Sequence, residues 1–289
     1  MRLVTFSSRG HTSIGKLAGN QVIDLPASDG ALPRTLLELL QAGPAAMARV
    51  RALQLENAVS WPLADVRLQA PVPNPSKYLA IGMNYKKHVH EALAAGIQVP
   101  DSQVWFNKQV SCVSGPFDAV HLPRASDKVD YEAELCVVIG KRCRHVSVDD
   151  APSVVAGYMA ANDVSVRDWQ MRSPTMTLGK SFNTHGPVGP WLVTPDELPD
   201  PHALRLRMLV NGEVRQDVST GEMIYNVWEQ IAYLSTVMTL EPGDLIATGT
   251  PSGVGAAMKP PQFRKVGDVM RVEIEGIGHI ENVCVPEPQ

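Results

Sequence analysis

Beyond residue 118 the chain is a succession of short apolar runs, most of them closed by glycine or proline: AVHLP, ELCVVIG, VAGYMAAND, GPWLV, LRLRMLVNG, DLIATGTP and VMRVEIEGIGHIENVCV. Pieces of that length suit strands and are too short for helices of ordinary length. Glycine opens left-handed turn conformations and proline withholds a backbone donor, so each stop is also a place to change direction. NGE after LRLRMLV is a hairpin signal. Helical spacing appears around NYKKHVHEALAAG, closed by Gly96, and in MIYNVWEQIAYLSTVM. Many strands without a regular strand–helix alternation point to a β-rich α+β fold.

The chain has 289 residues, room for one large domain with a smaller one beside it. Residues 1–70 read as the small N-terminal domain. RLVTF and QVIDL are strands with a turn-rich link between them, and PRTLLELLQAG is an amphipathic helix ending at Gly43. ADVRLQAPVPNPSK, with Pro71, Pro73 and Pro75, is an extended linker into the main domain, residues 71–289. The net charge of −4, with no basic block, argues against nucleic acid as a partner. No apolar run approaches the roughly 18 residues of a membrane span, and the N-terminus shows no secretory core. Four cysteines without CxxC spacing fit a cytoplasmic protein.

The stretch VDYEAELCVVIGK, residues 129–141, carries an apparent contradiction. It reads as an interior strand, yet Glu132 and Glu134 lie two apart and therefore on one face. Two like charges so placed raise each other's pKa, and burial adds to the cost. Either the face is solvated or a divalent cation neutralises both, since hard cations take carboxylate oxygens. Asp163, where VAGYMAAND ends in a turn, is a candidate third ligand; otherwise it caps the turn that follows. Asp168 lies too far into that turn to be the ligand.

His88 and Glu91, three apart on a helix, share a side, and a carboxylate beside histidine makes a general base. The alternative is an exposed helix with a charge pair. Lys180 in TLGKSF either holds an anionic oxygen or reaches out to solvent. Arg167 and Gln170 in VRDWQ suit a substrate carboxylate, or Arg167 pairs with a neighbouring aspartate. LEPGDLIATGTPSGVG lacks the GxxxxGK and GxGxxG spacings, so it is no nucleotide loop. It either offers backbone N–H groups and the Thr250 hydroxyl to a substrate oxygen or simply closes the sheet. Ser252 lacks the GxSxG elbow of a serine hydrolase.

With these pieces together, the sequence resembles the fumarylacetoacetate hydrolase superfamily, most closely its acylpyruvate and fumarylpyruvate hydrolase branch. The resemblance rests on GMNYKKHVHE, DYEAEL, ANDVSVRDWQ, GKSF, NGE, MIYNVWEQIAYLS and LEPGDLIATGTPSGVG, in that order across residues 72–285. It implies a mixed β-sandwich roll with a small N-terminal α/β domain, usually as a homodimer. It implies one Mg2+ or Mn2+ per subunit on Glu132, Glu134 and Asp163. His88 and Glu91 match the family's catalytic dyad on a lid segment, Lys180 its active-site lysine, and Arg167, Gln170 and Thr250 its substrate contacts. The segment between Gln170 and Lys180 looks short, which bears on one pocket wall. The implied reaction is hydrolysis of a C–C bond in a β-diketo acid of acylpyruvate type, giving a 2-oxo acid and a carboxylic acid. The same pocket suits oxaloacetate decarboxylation, isomerisation of an unsaturated 2-oxo dicarboxylic acid, or hydrolysis of a diketo-deoxy sugar acid. From another class, the alternative is a non-catalytic metal- or ligand-binding relative, against which the full set of acids, dyad and lysine speaks.

Overall fold

The computed structural model describes residues 1–94, 96, 98 and 101–289 and is built on two principal sheets. The larger runs through Ser60–Pro62, Gln21–Asp24, His11–Ala18, Arg2–Ser8, Gly186–Val193, Val155–Asn162, Ala133–Ile139, Leu245–Ala247, Tyr78–Gly82 and Val104–Lys108. Its one parallel step along this path joins Leu245–Ala247 to Tyr78–Gly82. The second sheet orders Glu213–Ser219, Arg205–Val210, Val269–Ile274, Gly278–Pro286 and Val120–Leu122. It lies against the middle of the first, so the fold is a strand-rich sandwich with few helices.

This layering explains the apolar run ELCVVI. Leu135, Val137 and Ile139 pack with Met208, Val272 and Ile280 of the second sheet. Cys136 and Val138 point the other way, into a core shared with Leu36 and Leu39 of the helix Leu36–Ala52. Every residue of Ala133–Ile139 is buried, and a strand enclosed on both faces reads as unbroken apolar sequence.

NGE makes the expected hairpin: Asn211 and Gly212 both have positive φ, 52° and 82°, as a two-residue turn of matching twist requires. The helix Val227–Val237 starts where Asn226 and Glu229 form a reciprocal cap. The helix expected over NYKKHVHEALAAG runs Lys86–Ala94; Ala95 in that stretch lies outside the described residues.

Three local expectations change. HTSIGKLA, expected as a turn-rich link, is the strand His11–Ala18, because strands on both sides supply its partners. Gly15 lies so close to its neighbour that a Cβ would stand 2.3 Å from Val22. The helix expected to end at Gly43 breaks there (φ 76°, ψ −158°), but Pro44 opens a continuation to Ala52. Within the expected linker, Arg67–Gln69 pairs with Arg2–Ser8 as a short strand. Among the described residues no helix is long and apolar enough to cross a membrane.

Candidate active site

The site lies where the central strands end. Ala133–Ile139 and Val155–Asn162 are antiparallel neighbours, with Ala133 opposite Asn162. That register sets Glu132 against Asp163, whose N–H donates to the Glu132 carbonyl at 2.9 Å. Carboxylate oxygens of Glu132, Glu134 and Asp163 lie within 4.8 Å of one another. All three are buried, at 5%, 1% and 0% exposure, so the solvated-face reading of the two glutamates falls. The turn-capping alternative for Asp163 also gives way, since both its carboxylate oxygens face lysines.

The Lys180 ammonium, also buried, stands 2.7 Å from Glu132 Oε2 and 2.8 Å from Asp163 Oδ2. It does not reach out to solvent. Arg167 is 2.5 Å from Glu132 Oε1, 2.9 Å from Asp130 Oδ2 and 3.0 Å from Gln170 Oε1. Its partners are thus Asp130 and Glu132, neither of the aspartates beside it in sequence; Asp168 bonds Ser126 instead.

These charges push the two glutamates apart. Burial raises the Glu132 carboxyl, but Lys180 and Arg167 outweigh it and hold it at about 2. Burial, followed by the charges of Asp163 and Glu132, lifts Glu134 well above the glutamate range. Among the described residues its one donor is the Gly249 N–H at 2.8 Å. Four enclosed carboxyls, counting Asp130, face three cations, Lys108, Arg167 and Lys180. Three hard oxygen donors in reach of one point, one of them a carboxyl that its neighbours keep from ionising without a partner, fit a divalent cation.

The glycine-rich loop departs from expectation in an instructive way. Its N–H groups serve the protein's own acids: Gly249 serves Glu134, Gly253 serves Glu91, and Gly255 and Ala256 serve Asp130. Buried carboxylates need donors, and this loop is the nearest row of them. The Thr250 hydroxyl donates to the Ala133 carbonyl at 3.0 Å and accepts from Gln216.

On the helix Lys86–Ala94, His88 Nδ1 lies 3.2 Å from Glu91 Oε2. A carboxylate only accepts, so the hydrogen sits on Nδ1, and in the neutral ring it is Nε2 that carries the lone pair. Glu91 Oε1 takes the Gly253 N–H at 3.0 Å, which ties the helix to the loop. His90 faces solvent. A cavity of about 410 Å3 is lined by His88, Glu91, Glu132, Arg167, Gln170, Lys180 and Thr250, with Met83, Met171 and Met176 among its apolar walls. Glu134 and Asp163 complete the acid cluster beside it.

Two residues escaped the sequence reading. Asp130 is buried and accepts from Arg167 and three backbone N–H groups. Lys108 is buried against Asp163. Alternation was the available signal for the second: in VWFNK, Lys108 shares a face with Val104 and Phe106.

The comparisons agree with this geometry. The profile described as "Fumarylacetoacetate (FAA) hydrolase C-terminal" matches residues 77–285. Oxaloacetate tautomerase Fahd2a, mitochondrial, of Rattus norvegicus is 41% identical over 290 residues, covering 99% of this chain and 92% of that protein. The maleylpyruvate hydrolase of Sphingobium sp. SYK-6, solved with manganese(II) and pyruvate, superposes with a TM-score of 0.83 at 34% identity over 100% of both chains. Fumarylacetoacetate hydrolase from Exiguobacterium antarcticum gives 0.87 at 36%, covering 99% of this chain and 100% of that one. By sequence, by fold and by the matched length, the chain belongs to the fumarylacetoacetate hydrolase family.

Proposed function

We propose that this chain forms and uses the enolate of a short 2-oxo acid, with keto–enol tautomerisation of oxaloacetate as its reaction. The observation that carries the proposal is a single cavity lined both by the Lys180 ammonium, seated between two acids, and by the His88–Glu91 pair. The similarity to an oxaloacetate tautomerase over 99% of the chain supports this form of enolate chemistry ahead of the hydrolysis expected first. Mg2+ or Mn2+ held by Glu132, Glu134 and Asp163 would supply Lewis-acid stabilisation of the 2-oxo oxygen.

His88 Nε2 takes a proton from C3. The C–H electron pair becomes the C2–C3 double bond, and charge moves to the C2 oxygen. Lys180 adds positive charge where that oxygen develops, which favours the transition state over the ground state. His88 then returns the proton to oxygen, and the enol leaves with no net change of atoms. Glu91 holds the imidazole in the tautomer that leaves Nε2 free. Gln170, whose amide donors among the described residues meet only the weak acceptor Met176 Sδ at 3.6 Å, orients a substrate carboxylate.

The second reading is hydrolysis of an acylpyruvate. The dyad favours it, because a base that removes a C3 proton can equally activate water for attack on a distal carbonyl. The C–C bond then breaks with its electron pair passing to the same enolate. A homodimer, as the family resemblance implies, and a reducing compartment are part of both readings.

Enol absorbance with oxaloacetate and coupled pyruvate release with acetylpyruvate and fumarylpyruvate separate the readings. Tautomerisation with Mg2+ or Mn2+, lost with a chelator and reduced about 100-fold in His88→Ala, is the expected result. Pyruvate release from the acylpyruvates without tautomerisation would replace the first reading by the second.

A further inference from the structure

The proposed reaction leaves one buried ammonium without a task. Lys108 ends the strand Val104–Lys108 and is 2% exposed. Its Nζ lies 2.6 Å from Asp163 Oδ1 and 3.5 Å from the Val164 carbonyl, and it also donates to the carbonyl of Lys180. All three ammonium hydrogens therefore have acceptors. The other oxygen of Asp163 is 2.8 Å from Lys180 Nζ. The contacts close a ring: Lys108 grips the carboxylate of Asp163 and the main chain of Lys180, and the Lys180 side chain returns to Asp163. Aromatic faces flank the ring, Tyr78 5.9 Å from Lys108 Nζ and Phe106 4.8 Å from Lys180 Nζ.

Filling volume does not explain this arrangement. An apolar side chain of similar size commonly stabilises an interior as well as a buried ion pair does. The ring instead fixes two things that a cavity needs fixed: which way the Asp163 carboxylate faces, and how far the Lys180 ammonium extends.

We propose that Lys108 is a positioning residue, setting the Asp163 rotamer and the reach of Lys180 without touching substrate. The proposal rests on the enolate reading for the task of Lys180. Displacement of a catalytic group by about 1 Å costs up to about 100-fold in rate, and removal of a group that orients a metal ligand costs about 10–100-fold in affinity or activity.

The test uses full-length Lys108→Met and Lys108→Gln, loaded with Mn2+, and reads Mn2+ affinity, the Mn2+ electron paramagnetic resonance spectrum and steady-state kinetics. Lys108→Met is expected to bind Mn2+ within about tenfold of wild type, with an altered spectrum. Its kcat for oxaloacetate should fall about 10–100-fold with little change in KM. Lys108→Gln, which can still donate to Asp163, should recover part of both the spectrum and kcat. A folded Lys108→Met with wild-type spectrum and kcat would overturn the proposal. So would Mn2+ binding and kcat lost in step, or failure of both variants to fold, since either outcome makes Lys108 merely structural. If wild type itself is inert toward 2-oxo acids, the enolate reading fails, and the spectra still decide whether Lys108 positions Asp163.

Discussion

Glu134 is 1% exposed, takes one backbone N–H, and shares its surroundings with two further carboxyls. Burial and those neighbours raise its pKa, so it binds its proton more tightly folded than unfolded. A raised folded-state pKa means that stability of the metal-free fold is lost as pH rises above the ordinary carboxyl range, so at neutral pH this group weakens it. With a chelator at pH 7, Glu134→Gln should melt a few degrees above wild type. With Mn2+ the order should reverse, because wild type gains about 2.7 kcal/mol at a hundredfold excess over Kd and the variant gains little; unchanged order in calorimetry would count against a cation here. His185 offers a pH prediction. Burial depresses its pKa to about 3, while Nε2 donates to the His121 carbonyl at 2.8 Å. A depressed histidine pKa means the unfolded chain binds the extra proton. Stability is thus intact above about 6.5 and is lost as pH falls toward about 3, by up to about 1.4 kcal/mol per pH unit. Denaturant titrations of His185→Gln should show a shallower loss across that window; parallel curves would contradict it. Glu132 and Glu134 were legible because an acid pair at period two conflicts with an apolar strand. His185, in NTHGPVG, was not, because the carbonyl it bonds lies 64 residues away, and Lys108 had only the faint signal of alternation, its acid partner lying 55 residues on.

Among elements, the helix Lys86–Ala94 and the loop after Leu245–Ala247 meet through Glu91 and the Gly253 N–H. Gly253 has φ of 101°, and a Cβ there would lie 2.1 Å from the Arg215 carbonyl. Gly253→Ala should therefore cost about 2–4 kcal/mol in urea unfolding and loosen His88–Glu91, lowering kcat; a cost below about 0.5 kcal/mol would show the loop to be adaptable. The hairpin at Asn211–Gly212 and the helix after Asn226 were readable because their signals are local. His11–Ala18 was not: HTSIGKLA has weak alternation, and it becomes a strand only through partners on both sides. A substrate role and simple closure of the sheet were the two readings of the loop's N–H groups, because a sequence does not show that Glu91, Asp130 and Glu134 need them.

At the scale of the whole molecule, the first 70 residues both extend the large sheet and share a core with it. Arg2 and Leu3 pair with Val193 and Leu192, while Leu36 and Leu39 join the cluster that holds Cys136 and Val138. A chain begun at residue 71 would bare the edge of Gly186–Val193 and that apolar face, and is expected to aggregate on light scattering; a monodisperse folded fragment would mark residues 1–70 as an independent unit. The sandwich itself was legible from family motifs rather than from periodicity, since strand pairing over long sequence separations leaves no mark in any local window. Exchange of the pyruvate methyl protons with D2O, followed by proton NMR, tests the central claim most directly, because exchange at that carbon reads proton removal beside the 2-oxo group. Rapid exchange with Mg2+, abolished by a chelator and in Glu132→Gln and slowed about 100-fold in His88→Ala, is the predicted result. No exchange by the metal-loaded protein, or equal exchange in His88→Ala, would contradict it.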